Sequence, residues 1–378
     1  MFAEAFFNDI LEICERSILP GHRLCVDWTG RRWRRMFAGG MDRKWKRIYW
    51  LVGLGAILAL FAAVFAVKGY VEKRQEPQKR TTIAVSTIGP THGWAVGVLY
   101  FAQEKLREVA EEHDWDYICV EGADSYEQSL QVSELVEQQV DCIIMLPMDG
   151  ASLKTAAITV QNAGIPLVIF DREIPEFAPT ATVKGDNSGI GIETARYFNN
   201  YFPKGTTVLE LMGDTSTVPF LRTDGFDDTL NDNFTKIQVG YTEWQRDYSQ
   251  ELFSNWVKQQ DRETLASVGA IFTHDDEIAL GVLDELDKYE EEGILDELFP
   301  SLEVIAGSSG SQKMYNRIRE EDRFVLFSMS YFPQMMARAV EVGEAVLCQE
   351  PYEEMTIIPT IKVEKSNVED YLDASLPF

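Results

Sequence analysis

The sequence predicts an α/β protein with two doubly wound parallel-sheet lobes, preceded by one transmembrane helix. Three observations predict this fold class. At 378 residues the chain is long enough for two or three domains. Residues 48–67 carry no charge, and after Arg80 short β-rich runs alternate with amphipathic helical segments. We therefore expect a spanning segment followed by a large α/β region.

The uncharged run 48–67 is IYWLVGLGAILALFAAVFAV, which at helical rise is long enough to cross a bilayer core. A cluster of basic residues precedes it: Arg31, Arg32, Arg34, Arg35, Arg43, Lys44, Lys46 and Arg47. Basic residues beside a spanning segment favour the cytoplasmic side. We therefore predict that 1–47 forms a cytoplasmic basic segment and that the large region lies outside the cell membrane. RRWRR alone also suits a nucleic-acid patch, but its position favours the topological interpretation.

Two fates of the apolar run stay open. Val64 and Ala66 stand at the −3 and −1 positions of a signal peptidase site, whereas the run exceeds a usual signal-peptide core. We expect an uncleaved anchor. Met41 is a second plausible start, which would leave 1–40 as an artefact or a short cytoplasmic tail. Residues 68–80 are polar and charged with one proline, as in a linker.

The charge of the chain is divided unevenly. The formal net charge is −26; up to Arg80 there are 15 Lys and Arg against 8 Asp and Glu, which leaves 20 against 53. Because such an acidic region repels phosphate backbones, we expect no nucleic-acid partner. The five cysteines are odd in number and lack CxxC spacing, which argues against a zinc site and a disulfide framework. We expect no cofactor and no metal.

The region after Arg80 repeats a strand–helix unit. Its predicted strands are 82–87, 117–120, 142–146, 167–170, 207–212, 237–241, 270–273, 304–306 and 324–327. Helical patterns between them include 94–112, 126–138, 151–163, 190–201 and 276–292. Apolar strands joined by helices indicate parallel sheets with right-handed crossovers. More than eight such units give more strands than one doubly wound sheet usually contains, so two lobes are predicted.

Polar and aromatic residues follow several predicted strands. His92 and Trp94 follow the first strand, Asp171 and Arg172 follow 167–170, and Asp275 follows 270–273. Ligands of open α/β sheets collect at the carboxyl ends of the strands, which two facing lobes would place in one cleft. Carboxylates, guanidinium groups and aromatic rings are what a sugar site needs. Singly, each residue also has a structural explanation: Asp171 can pair with Arg172, and Trp94 or Trp244 can belong to the core.

Enzyme motifs are missing from the sequence. It contains no GxSxG, Walker loop, HExxH or paired Cys/His metal spacing. The adjacent Asp275 and Asp276 suggest carboxylate chemistry, but neighbouring side chains usually point apart, and Asp276 suits a helix N-cap. A spanning segment stands where a repressor would carry its helix-turn-helix. We therefore predict neither an enzyme nor a repressor.

Several segments, in order, resemble the ribose/galactose-type periplasmic binding proteins. The resemblance covers 81–365 and rests on IAVSTIGPTHGW, VIFDREIP, GDNSGIG, LRTDGF, TEWQRDYS, IFTHDDEIALG and SYFPQ. It implies a ligand site formed by His92, Trp94, Asp171, Arg172, Arg222, Trp244, Asp275 and Tyr331. The family often has an acidic residue after the strand VIAG, whereas this chain has Ser308-Ser309-Gly310. The resemblance thus implies a sugar ligand without naming the sugar.

The same resemblance implies three crossings between the lobes, near Asp186 and Asn187, near Ser330, and near Pro359. The expected N-terminal lobe is 81–185 with 332–358, and the expected C-terminal lobe is 186–331 with 359–378. These crossings would act as a hinge that closes on the ligand. Two functions follow as expectations: delivery of a small sugar to an ABC permease, or sugar sensing through a membrane histidine kinase without transport.

Overall fold

The computed structural model describes residues 42–74 and 79–376, and these two ranges belong to two separate units. In the first unit, helix α1 spans Arg43–Arg74. Its segment Trp50–Val67 has a mean hydropathy of 2.5 and no buried residue. Among the described residues, α1 is the one helix that is long and apolar enough to span a membrane. The predicted cytoplasmic segment lies outside the described residues up to Met41. The predicted linker is helical up to Arg74.

The second unit contains twelve strands among its described residues. They are β1 Thr82–Ile88, β2 Asp116–Gly122, β3 Cys142–Met145, β4 Leu167–Phe170, β5 Ala181–Gly185, β6 Thr207–Met212, β7 Thr235–Tyr241, β8 Val268–Thr273, β9 Val304–Ser309, β10 Val325–Ser330, β11 Met355–Ile358 and β12 Lys362–Glu364. The first sheet has the order β11-β5-β4-β3-β1-β2 and the second β12-β10-β9-β8-β6-β7. All pairs are parallel except β10 with β12. The two predicted parallel-sheet lobes are confirmed.

Helices connect these strands. They are α2 Gly93–His113, α3 Ser125–Glu137, α4 Lys154–Asn162, α5 Asn187–Tyr201, α6 Thr217–Asp227, α7 Arg246–Val257, α8 Arg262–Ser267, α9 Asp276–Glu291, α10 Leu295–Leu298, α11 Gln312–Glu320 and α12 Met335–Cys348, with a 3-10 turn at Val368–Asp370. Helices α2, α3 and α12 pack on the first sheet, and α9 and α11 pack on the second. Buried apolar strands such as β4 and β8 lie between helical layers, as parallel sheets require.

The chain passes between the two sheets three times. The first passage follows Gly185 at the end of β5, and the second follows Ser330 at the end of β10. The third joins β11 to β12 and contains Pro359. The residues expected at the hinge therefore lie in or beside these three segments. Their role in motion stays a prediction.

Candidate ligand-binding site

A small, partly open cavity lies between the carboxyl ends of the two sheets. Its walls contain all eight residues named from the sequence, joined by Val218 and Ser309. The cavity volume is about 30 Å³, and by that measure a buried water needs roughly 10–15 Å³. The eight residues thus already lie together, and the free volume between them holds about two waters.

His92 and Trp94 form one wall of the cavity. His92 is the N-cap residue of α2, and Trp94 lies in its first turn. The Trp94 indole stacks on Phe170 of β4 with centroids 6.2 Å apart, and its Nε1 donates to the Tyr331 carbonyl at 2.8 Å. Burial and the nearby Arg172 guanidinium lower the pKa of His92 to about 4. The imidazole is therefore neutral at pH 7, and its Nδ1 is buried without a hydrogen-bond partner.

Asp171 and Arg172 follow β4 directly. Asp171 has a left-handed φ of 64°, and its Oδ1 accepts a hydrogen bond from the Tyr331 hydroxyl. Arg172 Nη1 donates to the Met148 carbonyl, while its Nε is buried and unpartnered. The Nε of Arg172 lies 3.8 Å from Asp171 Oδ2, beyond hydrogen-bond distance. The two side chains thus form an ion pair without a direct hydrogen bond, and Arg172 Nε stays without a hydrogen-bond partner.

Arg222 reaches the cavity from α6 and is 3% exposed. Its Nε donates to Asn187 Oδ1 at 3.0 Å, and its Nη1 donates to Ser308 Oγ at 2.9 Å and to the His274 carbonyl. The guanidinium carbon lies 4.9 Å from the Tyr331 ring centroid and 5.7 Å from that of Trp244. This side chain is therefore held in a fixed position between two aromatic faces.

Trp244 and Asp275 complete the C-terminal lobe's wall. Trp244 follows β7 with a φ of 59°, packs on Gly213, and hydrogen-bonds through its side chain to Asp214. Asp275 caps α9 by accepting from the Glu277 amide at 2.8 Å. Burial and the neighbouring Asp276 raise its pKa well above the usual range. Both residues follow strands, where parallel sheets place ligand contacts.

The prediction that Asp276 caps α9 is wrong. The N-cap is Asp275, and Asp276 is the first residue of the helix. Asp276 accepts from the amides of Gly310 and Ser311 at 2.9 and 2.8 Å and from Ser328 Oγ at 2.7 Å. Its carboxylate therefore ties together strand ends of the second sheet. The two neighbouring carboxylates face different partners, as expected from their adjacency.

A buried polar network beneath the site is absent from the sequence-based prediction. Glu210 of β6 is fully buried, and its carboxylate contacts His274 Nε2 at 3.1 Å, Thr223 Oγ1 at 2.7 Å and Lys236 Nζ at 3.0 Å. Burial opposes ionisation, but the His274 hydrogen bond and the other partners hold the pKa of Glu210 at about 2. A charge inside the apolar strand VLELM was the available signal. The network fixes the segment whose carbonyl holds Arg222.

The unpartnered polar atoms of the cavity show what it can bind. Buried His92 Nδ1 and Arg172 Nε have no hydrogen-bond partner, and the guanidinium nitrogen is an obligate donor. Leaving such groups unpaired is unfavourable, so a ligand with acceptor oxygens would satisfy them. The indole faces can cover C–H surfaces. The arrangement suits a small molecule rich in hydroxyl groups.

The two lobes also touch each other across the cleft. Gln245 Nε2 donates to the Thr91 carbonyl at 3.3 Å, and Arg172 Nη2 lies 3.7 Å from Asp214 Oδ2. The rings of His92 and Trp244 have centroids 6.5 Å apart. The structure therefore represents a closed arrangement of the lobes.

Comparison with known proteins agrees with this architecture. The family described as periplasmic binding protein domain matches residues 83–351. The ribose import binding protein of Bacillus subtilis is 26% identical over 164 residues, 43% of this chain and 52% of that protein. The xylitol-binding protein of Mycolicibacterium smegmatis is 22% identical, over 64% of this chain and 66% of that protein. The chain thus spans between about half and two thirds of the length of these curated relatives.

Solved structures show the same fold. An ABC transporter solute-binding protein from Bacillus halodurans with bound myo-inositol aligns with a TM-score of 0.66 and 22% identity, over 79% of this chain and 99% of that one. The fructose-binding periplasmic domain of a hybrid two-component system aligns with a TM-score of 0.65 and 19% identity, over 77% of this chain and 92% of that one. Together with the matched family, they show that the chain belongs to the periplasmic binding proteins, with the type I fold, a family of binding proteins and not of enzymes.

Proposed function

We propose that this protein captures a small sugar or polyol between its two lobes outside the cell membrane and delivers it to an ABC-type importer. The observation that carries the proposal is the convergence of eight sequence-predicted residues on one cavity, in which two buried polar atoms lack hydrogen-bond partners. Relatives that bind ribose and xylitol, and fold neighbours with bound myo-inositol, support hydroxyl-rich ligands.

The proposal is tested by thermal unfolding of residues 79–378 with pentoses, hexoses, pentitols and inositols. A ligand that binds only the folded state, at a free concentration one hundred times its Kd, adds about 2.7 kcal/mol to the free energy of unfolding. For a protein of this size we expect Tm to rise by about 5 °C with the cognate compound. No shift with any compound would contradict sugar binding.

Hinge closure is part of the proposal. The expected lobes, 81–185 with 332–358 and 186–331 with 359–378, would rotate about Asp186, Asn187, Ser330 and Pro359. A ligand that contacts both lobes favours the closed state, because only differential affinity shifts the population. We expect ligand to slow amide exchange about tenfold in both 86–95 and 241–247. Protection confined to one of these segments would show that the ligand does not bridge the lobes.

The apolar helix α1 supports an uncleaved membrane anchor. Its apolar stretch continues as helix to Arg74, past the possible cleavage position after Ala66. We expect the mature protein to remain in the membrane fraction after an alkaline carbonate wash, and its intact mass to include 48–67. A mature chain that begins at Val67 and appears in the soluble fraction would show that the segment is a signal peptide.

A sugar sensor is the second candidate. A fixed anchor suits a stoichiometric membrane complex, and one fold neighbour is the fructose-binding domain of a two-component system. In that case the protein co-purifies with a membrane histidine kinase, and the cognate sugar changes the kinase's autophosphorylation. Co-purification with a permease, and sugar uptake by vesicles that contain both proteins, would favour the importer.

A further inference from the structure

The side chain of Tyr331 lines the small cavity and occupies polar groups there. Tyr331 is 4% exposed and belongs to the second passage between the lobes. Its hydroxyl donates to Asp171 Oδ1 in the N-terminal lobe and accepts from Asn187 Nδ2 at 3.0 Å at the start of α5. A single phenol hydroxyl thus connects the two lobes.

The ring of Tyr331 is held as tightly as its hydroxyl. It lies against the backbone of Gly185, where a Cβ atom would stand 2.2 Å from the ring. The Trp94 ring is 5.9 Å away, and the Arg222 guanidinium covers one face at 4.9 Å. A hydroxyl on a carboxylate, beside an indole and a guanidinium, is the set of contacts that the proposed sugar would make.

The remaining polar groups of the cavity are left unused. Tyr331 engages Asp171 and Arg222, and its carbonyl accepts from Trp94 Nε1. By contrast, His92 Nδ1 and Arg172 Nε lack hydrogen-bond partners. Some polar groups of the site thus have hydrogen-bond partners within the chain, whereas others are left for a ligand.

We infer that Tyr331 is an internal occupant of the ligand site, which a sugar or polyol has to displace from Asp171, and that it thereby determines the affinity and size of the accepted ligand. This inference rests on the proposed function. Displacement reduces the apparent affinity by the fraction of molecules in which the phenol has already left. A small polyol displaces only the hydroxyl, whereas a six-membered ring also requires the phenol ring to leave.

The decisive variant is Tyr331→Phe in the full chain in detergent, because it removes the hydroxyl and keeps the ring. We expect the cognate compound to bind about tenfold more tightly, as measured by titration calorimetry, since Asp171 then has no internal donor to lose. If Tyr331 were an ordinary ligand contact, the same change would weaken binding. Unchanged or weaker binding would overturn the inference.

A second measurement needs no ligand. Because the hydroxyl bridges Asp171 and Asn187, its removal should speed amide exchange in 86–95 and 241–247 of the ligand-free protein about threefold or more. Tyr289→Phe, a buried tyrosine on α9 away from the cavity, is the matched control and should change neither exchange nor binding. If no compound binds either protein, the proposed function fails and the displacement inference falls with it, and faster exchange would then show only that the hydroxyl bridges Asp171 and Asn187. If a compound binds, unchanged exchange in Tyr331→Phe overturns the inference on its own.

Tyr331→Ala tests the size limit. It removes the ring as well, and we expect it to gain more affinity for hexopyranoses than for pentitols. Equal gains for both classes would overturn the size limit and leave only the competition of the hydroxyl for Asp171.

Discussion

Exchanging Asp171 for asparagine is expected to weaken sugar binding by about thirtyfold to a hundredfold and to leave the fold intact. Hydrogen bonds to a charged acceptor contribute about 1.5–3 kcal/mol, and the neutral amide loses most of this. Asparagine is the right replacement because Asp171 has a φ of 64°, which asparagine tolerates better than alanine. The change therefore isolates the charge from the backbone conformation.

Titration calorimetry with the cognate sugar measures this effect, and thermal unfolding checks the fold. Asp124→Asn is the matched control, because Asp124 is an exposed carboxylate that caps α3 and does not line the cavity. Binding by Asp171→Asn within threefold of the parent would show that the cavity does not use this carboxylate for a ligand.

Replacing Arg222 by methionine is expected to lower the free energy of unfolding by about 3–5 kcal/mol and to abolish sugar binding. The change leaves Asn187 Oδ1, Ser308 Oγ and the His274 carbonyl without their donor in a buried region. Urea unfolding of residues 79–378 measures the loss. Because the same guanidinium lies between Tyr331 and Trp244, the cavity also loses the positive charge of this lining residue.

Arg246→Met is the control for Arg222. Arg246 makes two hydrogen bonds to Asp284, at 2.7 and 2.8 Å, with both side chains about a third exposed. Exposed ion pairs contribute about 0–1 kcal/mol, so this change should lower the free energy of unfolding by no more than that. Equal losses for both variants would indicate that burial of the Arg222 network contributes little.

The sequence predicts the central strands best. Strands β4 and β6 begin and end where their apolar runs predict, because strands buried on both faces read as continuous hydrophobic segments. Strands β5, β11 and β12 were not predicted. They are short, β11 alternates exposed and half-buried residues at the edge of its sheet, and β5 contains Lys184. Such strands are defined by pairing with distant segments, which local patterns do not contain.

Some residues of the candidate site can likewise be predicted from the local sequence, and others cannot. Asp171, Arg172 and Asp275 follow buried strands, so the rule that ligands bind at the carboxyl ends of parallel strands is enough to select them. Arg222 lies on a weakly amphipathic helix, and only the family resemblance selects it. The direction of the Tyr331 side chain depends on the crossing of the chain between lobes, which no local pattern shows. The sequence names the residue but not its contact with Asp171.

The crossing topology bears on the order in which the protein folds. Strand β5 pairs with β11, and the face of the first sheet is covered by α12, so both partners come more than one hundred residues later in the chain. By contrast, β6 to β10 are contiguous in sequence and complete most of the second sheet. Contacts between distant segments form slowly, because long loops have to close first.

The second sheet can therefore assemble while the first still lacks a strand and a helix. Until α12 and β11 emerge, the apolar residues of β4 and β5 remain uncovered and the edge of β5 is unpaired, a state prone to aggregation. We therefore expect the N-terminal lobe, although it is synthesised first, to become resistant to proteases only when Met355–Ile358 has joined the sheet.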